Sequence, residues 1–174
     1  AGPGMLDFAG LDPARDWPWW RGPTRNGVAR PDAKPPVRFG DAENVVWRTP
    51  VPGRGHSSPI VVGERVYLTT ADEAAQVQSV LAFDRATGRQ LWQTEVNRGG
   101  FPASIHHNNT HATPTLASDG RQLIAAFFNN ESVQAAWLDF DGKQIRKQRI
   151  GPVSYTHLRA HANVLDLVCR LLLE

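Results

Sequence analysis

The chain carries an internal duplication, and a duplicated unit this short constrains how the whole must be built. His56-Ser57-Ser58-Pro59 is echoed by His111-Ala112-Thr113-Pro114, a step of 55 residues from position 56 to position 111. Each copy is followed by a turn, Val62-Gly63-Glu64 in the first and Asp119-Gly120 in the second. The same step carries Asp84 to Asp139, and Gly88 maps onto Gly142 after a one-residue shortening. The shared order and spacing of these matches argue against coincidence.

The texture of the unit is that of short strands. NVVWRTP, SSPIVV, RVYLTT, QSVLAF and QLWQTEV are rich in Val and aromatic residues and are separated by turn-forming pieces such as Arg85-Ala86-Thr87-Gly88. No helical period runs through them, so the spacing predicts an antiparallel meander rather than strands returned by helices. A small sheet of about 50 residues cannot bury both of its faces alone and must stack on copies of itself. Radial stacking of such sheets gives a β-propeller with four-stranded blades. The expected fold is therefore all-β, a partial β-propeller with about two four-stranded antiparallel blades of the roughly seven or eight of a full ring. On this reading the chain is a fragment, prone to aggregate through unpaired strand edges and apolar faces.

Three regions are expected. Residues 1–38 form an irregular Trp/Pro-rich arm, residues 39–151 the blades, and residues 152–174 a tail of different texture. In the arm, Trp17, Trp19 and Trp20 lie within WPWWRGPTRNG, where repeated Pro and the Asn26-Gly27 pair predict loop and turn. Their rings are expected to cover the edge or bottom of a neighbouring sheet.

Composition bounds the function classes. Nineteen Lys and Arg against 17 Asp and Glu give a net charge of +2, too small an excess to argue for nucleic acid. A hydrophobic fraction of 41% with 21% charged residues is globular, and no uncharged apolar run is long enough to span a membrane. One cysteine, Cys169, excludes an internal disulfide framework and a multi-thiolate metal site. No secretory leader is visible in the opening residues.

Ala82-Phe83-Asp84-Arg85-Ala86-Thr87-Gly88-Arg89-Gln90-Leu91-Trp92, preceded by VPGRGHSSPIVVGERVYLTT, resembles the repeat of the PQQ-like (pyrroloquinoline quinone-like) β-propeller proteins. That superfamily contains the quinoprotein alcohol dehydrogenases and an outer-membrane assembly lipoprotein. In its signature, Ala-x-Asp-x-x-x-Gly marks the hairpin between the last two strands of a blade, and a Trp after it docks between neighbouring blades. The arm WPWWRGPTRNGVA is similar to the opening of a large bacterial subgroup, so the resemblance covers roughly Asp16 to Gly151. It makes Ala82, Asp84, Thr87, Gly88 and Trp92 repeat-motif residues, joined by Asp139 and Gly142 in the second copy. Trp47 resembles the docking Trp of a preceding hairpin, here in the outer strand of a closing blade. The chemistry of the residues agrees: Asp84 and Thr87 can accept backbone N–H bonds across a turn and Gly88 can supply positive φ. In the second copy Arg146 takes the position of Trp92, which marks that blade as degenerate.

No catalytic, cofactor or metal residue is assigned. The family's dehydrogenases hold PQQ with calcium and set a disulfide of adjacent cysteines against it, and this chain has no such cysteine pair. His106, His107 and His111, interleaved with Asn108 and Asn109, form a weak candidate loop for a divalent metal. Adjacent His106 and His107 point apart in an extended chain, and His111 is a repeated structural position with His56. Ser57 and Ser58 lack a nucleophile elbow and are expected to satisfy backbone groups beside Pro59. Lys143, Arg146, Lys147 and Arg149 do not share one strand parity, so they form no phosphate track.

After Gly151-Pro152 the pattern NVLDLVCRLLL is that of a helix with a broad apolar face. VSYTHLRAHANVLDLVCRLLLE is similar to translated sequencing-adaptor read-through, which makes the expected C-terminal helix non-native. The functional expectation is a noncatalytic binding or scaffolding propeller module whose partners are an unknown protein or small molecule and the missing blades of its own full-length chain, with no nucleic acid. By resemblance it resides in the periplasm or cell envelope, or is secreted. The alternatives are a piece of a PQQ-dependent dehydrogenase and an outer-membrane-assembly-type interaction protein.

Overall fold

A computed structural model describes residues 8–152, and among these there is no helix. Eight strands form in chain order: β1 (Ile60–Val62), β2 (Arg65–Asp72), β3 (Val77–Asp84), β4 (Gln90–Arg98), β5 (Ala117–Ser118), β6 (Leu123–Asn129), β7 (Ser132–Leu138) and β8 (Gln144–Pro152). They pair as two antiparallel meanders, β1-β2-β3-β4 and β5-β6-β7-β8. These are two open blades of a partial β-propeller, the all-β architecture expected from the duplication. The tail that was read as a helix lies outside the described residues.

The duplication extends into the register. The β3–β4 ladder slips between Gln78 and Ser79 and again between Ala82 and Phe83. The β7–β8 ladder slips between Val133 and Gln134 and between Trp137 and Leu138, the same two places one repeat later. The extra residues are Leu91 and Val96 in β4 and Ile145 and Ile150 in β8. Each bulge bends its outer strand and reverses the side-chain alternation beyond it. Lys147 and Arg149 therefore lie opposite Ala136 and Gln134, whereas Arg146 lies opposite Trp137. The basic residues of β8 are thus divided between two faces.

One expected strand is absent. Residues 44–50, NVVWRTP, lie outside any sheet because no neighbouring strand offers them a backbone ladder. Asn44 adopts a φ of 59°, and its side chain donates to the carbonyl of Arg38 at 2.9 Å. The segment is anchored instead through Trp47 and Thr49.

The core lies between the blades. A sheet covered on both faces needs apolar residues at successive positions, and β3, β6 and β7 are buried almost throughout. Ala125, Ala126, Ala135 and Ala136 keep the centre of the second sheet thin, and Tyr67, Leu116, Leu123 and Phe127 fill the space around it. The arm closes the inner side of this core. Trp17 exchanges both backbone hydrogen bonds with Val61 of β1, at 2.7 and 2.9 Å, and the carbonyl of Pro18 accepts from the N–H of Ser118 in β5 at 2.9 Å. The arm thus covers a strand edge in each blade, and the Trp19 ring passes into the core with no exposed surface.

At the end of the blades where β2 turns into β3, a buried amide cluster joins the sheets. Gln78 donates to the carbonyls of His111 (2.7 Å) and Phe128 (3.1 Å), and its own oxygen accepts from Asn97 (2.8 Å) and Asn129 (3.3 Å). Every polar atom of Gln78 is bonded, as a side chain buried this deeply requires.

Candidate functional site

The repeat-motif residues converge on two equivalent hairpins, each gripped by a tryptophan from outside its sheet. In the first hairpin the Asp84 carboxylate accepts the N–H of Ala86 (3.1 Å), the N–H of Thr87 (2.8 Å) and the Thr87 hydroxyl (2.7 Å). These bonds, the Thr87 hydroxyl foremost, hold the Asp84 carboxyl below the usual carboxylate range. In the second, Asp139 accepts the N–H groups of Asp141 (3.0 Å) and Lys143 (2.9 Å). Gly88 and Gly142 close the turns at φ 71° and 88°.

The indole N–H of Trp47 donates to the carbonyl of Arg85 at 2.8 Å, and the hydroxyl of Thr49 donates to the carbonyl of Gly88 at 2.7 Å. One repeat later, Trp92 donates to the carbonyl of Phe140 at 3.0 Å and Thr94 to that of Gly142 at 2.6 Å. A Cβ on Gly88 would stand 2.5 Å from the Trp47 ring, and one on Gly142 would stand 2.6 Å from the Trp92 ring. Both glycines are thus required twice, for backbone conformation and for the approach of the indole. Ala82 pairs across the ladder with Trp92 and is fully buried beneath this contact. The two threonines escaped the reading of motifs, although the Trp-x-Thr spacing at 47–49 and 92–94 is visible in the sequence.

A cleft of about 550 Å³ opens beside these hairpins, between the arm, the β1–β2 turn and the second hairpin. Val62, Tyr67 and Phe140 supply apolar wall; Asp12, Arg15, Asp16, Glu64, Arg65 and Asp141 supply charge. The charges are largely matched within the cleft. Arg15 pairs with Glu64, and Arg65 holds Asp141 at 3.0 Å while donating to the carbonyl of Phe140. Burial pulls the Arg65 guanidinium down, but Asp141 and Tyr67 outweigh it and leave it above its ordinary value. Burial pushes the Tyr67 phenol up to about 12, so it stays protonated at neutral pH. Asp16 is buried and accepts the N–H groups of Gly63 and Asp12, each at 2.8 Å, which clamps the arm to the β1–β2 turn. The sequence does not announce this cleft, because it joins residues of the arm, the β1–β2 turn and the second hairpin that lie far apart along the chain.

The histidine loop is arranged otherwise than an extended chain predicts. The N–H of Asn109 donates to the carbonyl of His106 at 2.8 Å, forming a turn that brings the His106 and His107 rings to 4.2 Å between centroids. His111 stands apart from them, stacked on Phe101 at 4.1 Å, where burial lowers its pKa. Among the described residues no three His, Cys, Asp or Glu side chains stand close enough to share a metal ion. Ser57 bridges the backbone of Thr69, donating to its carbonyl (3.2 Å) and accepting its N–H (3.0 Å), while the N–H of Ser58 donates to Thr115 (3.0 Å). Ser57 acts as a strand-edge fastener.

A quinone with calcium needs carboxylate and amide oxygens converging on one ion. Here Asp16, Asp84 and Asp139 are engaged with backbone N–H groups, and the amides of Gln78, Asn97 and Asn129 bond to one another. The described residues do not fit that pair.

A search of the curated proteins found no match. The family described as outer membrane protein assembly factor BamB matches over residues 41–154, which spans both blades and more than half of the chain. Two stacked four-stranded meanders and a repeated Trp-gripped hairpin agree with that match: the chain belongs to this family of PQQ-like repeat propellers.

Proposed function

We propose that this chain is a noncatalytic PQQ-like propeller module that binds or scaffolds a protein partner in the bacterial cell envelope. The match to a family described as an outer-membrane assembly factor carries this reading and favours an interaction role over a dehydrogenase. The allocation of polar groups supports it. The motif carboxylates, the N–H groups of Trp47 and Trp92 and the buried amides bond within and between blades, which builds a rigid platform that carries its loops. Residence in the periplasm or envelope rests on the family alone, and no helix among the described residues is long and apolar enough to cross a membrane.

Two measurements on the purified chain test the proposal. Surface plasmon resonance against soluble domains of an outer-membrane barrel-assembly complex is expected to give saturable binding. Incubation with PQQ, calcium and an alcohol is expected to give no dye reduction. Sustained dye reduction, or the absence of binding to those domains, would contradict it.

A further inference from the structure

Residues 45–50 carry the side chains of an outer blade strand but none of its ladder. Trp47 and Thr49 hold the first hairpin by the carbonyls of Arg85 and Gly88, as Trp92 and Thr94 of β4 hold the second by those of Phe140 and Gly142. β4 does so while paired along its length with β3. Among the described residues, no backbone N–H or C=O of residues 45–50 makes a hydrogen bond. Exposed backbone whose donors and acceptors are unpaired is a template for another strand.

A second observation falls on the same place. Of the seven large apolar side chains that stand exposed among the described residues, six lie between positions 28 and 51: Val28, Val37, Phe39, Val45, Val46 and Val51. Val46 precedes Trp47 as Leu91 precedes Trp92, yet Val46 is 85% exposed, whereas Leu91 packs against the core. Apolar side chains scattered singly on a surface need no explanation, but a group of them beside an unpaired strand marks a surface that something covers.

The β3–β4 register defines what fits. Setting Trp47 on Trp92 and Thr49 on Thr94 puts Trp47 opposite a small residue, as Ala82 is, Thr49 opposite a β-branched one, as Val80 is, and Val45 opposite an aromatic one, as Phe83 is. Val46 then takes the bulge position of Leu91. Pro50 has no N–H to give, so the ladder ends there. A second copy of the chain does not supply such a strand. Its β3 and β7 are already covered by β4 and β8, and Trp17 and Pro18 bond to the inner strands β1 and β5.

We propose that residues 45–49 are the docking strand for a further blade of the same repeat in a longer form of this chain, whose β3-like strand adds antiparallel with a small residue against Trp47. The inference stands on the repeated grip and does not depend on the partner role proposed above.

A hairpin peptide copying residues 65–84 presents a β3 edge free of β4. Arg65 faces Asp84 across the ladder, so the two ends can be joined to keep the hairpin closed. Amide hydrogen exchange of the whole chain, resolved by residue, reads the contact. Amides within 45–49 are expected to exchange freely in the chain alone and about tenfold more slowly with the hairpin at saturation. The same hairpin carrying Ala82→Phe sets bulk against Trp47 and is expected to give no slowing. Both changes are made in the peptide, so the fold of the chain is the same in every arm of the experiment. No slowing at 45–49, slowing confined to the outer edges of β4 or β8, or equal slowing by both hairpins would overturn the proposal. Slowing at 45–49 that grows with the concentration of the chain alone would assign a second copy as the occupant and overturn it as well.

Discussion

The two blades share a register, a pair of bulges and a hairpin, yet their outer strands differ where each would meet the next sheet. In β4 that position is Trp92, which lies across the ladder from Ala82 and reaches into the second hairpin. In β8 it is Arg146, opposite Trp137, with its guanidinium 4.6 Å from the centroid of that ring. The tryptophan of the cross-strand pair has moved from the outer strand to the inner one, and an arginine stands in its place. At the next position of the motif, Thr94 gives way to Gln148, which bonds to Arg146 rather than to a neighbouring hairpin. The first blade grips its successor through a half-buried indole and a hydroxyl; the second turns the equivalent groups onto its own sheet. The seam between these blades is thus specified by residues of the earlier strand, and the face beyond β8 is chemically a different surface.

Substitutions at the seam should break this asymmetry most visibly. Trp92→Ala removes the indole, its bond to Phe140 and its packing on Gly142, and is expected to destabilise the chain by about 3 kcal/mol in equilibrium unfolding. Gly142→Ala forces a Cβ against the Trp92 ring at a positive φ, for an expected loss of about 2 kcal/mol by the same measurement. Gly88→Ala, against Trp47, should match it. Arg146→Ala, at the position equivalent to Trp92, is expected to change stability by less than about 0.5 kcal/mol, since an exposed guanidinium on a ring contributes little.

Acidity probes the two regions separately. The pKa of His111 is lowered in the folded chain, so its contribution to stability is present above the ordinary histidine value of about 6.5 and is lost as pH falls through the folded value. Asp84 is lowered as well, so the first hairpin keeps its contribution above about 4 and loses it at still lower pH. Thermal melts across pH should show a first decline that His111→Gln removes and a second that Thr87→Ala reduces.

Much of this fold was legible because a repeat states its own geometry. The step from His56 to His111 and from Asp84 to Asp139 implied two stacked meanders, and the turn chemistry of Asp84, Thr87 and Gly88 is local, so both survive translation from sequence to structure. Residues 44–50 read as a strand because Val and Trp favour extended backbone, but a strand also needs a neighbour, and the sequence does not display its neighbours. The histidines read as an extended chain because adjacent residues alternate there, whereas the turn at His106–Asn109 brings the two rings together. The cleft was invisible for a further reason. Arg15 meets Glu64 and Arg65 meets Asp141 only after the arm and second blade have docked, and no local pattern encodes that docking.

The claim on which the rest depends is that a tryptophan of one blade and the hairpin of the next form a single contact. A double-mutant cycle on Trp92→Ala and Gly142→Ala by chemical denaturation measures it. The two residues lie on different sheets, so a shared contact predicts a coupling energy of at least about 1 kcal/mol, with the double variant less destabilised than the two single losses combined. Strict additivity, within about 0.3 kcal/mol, would contradict it.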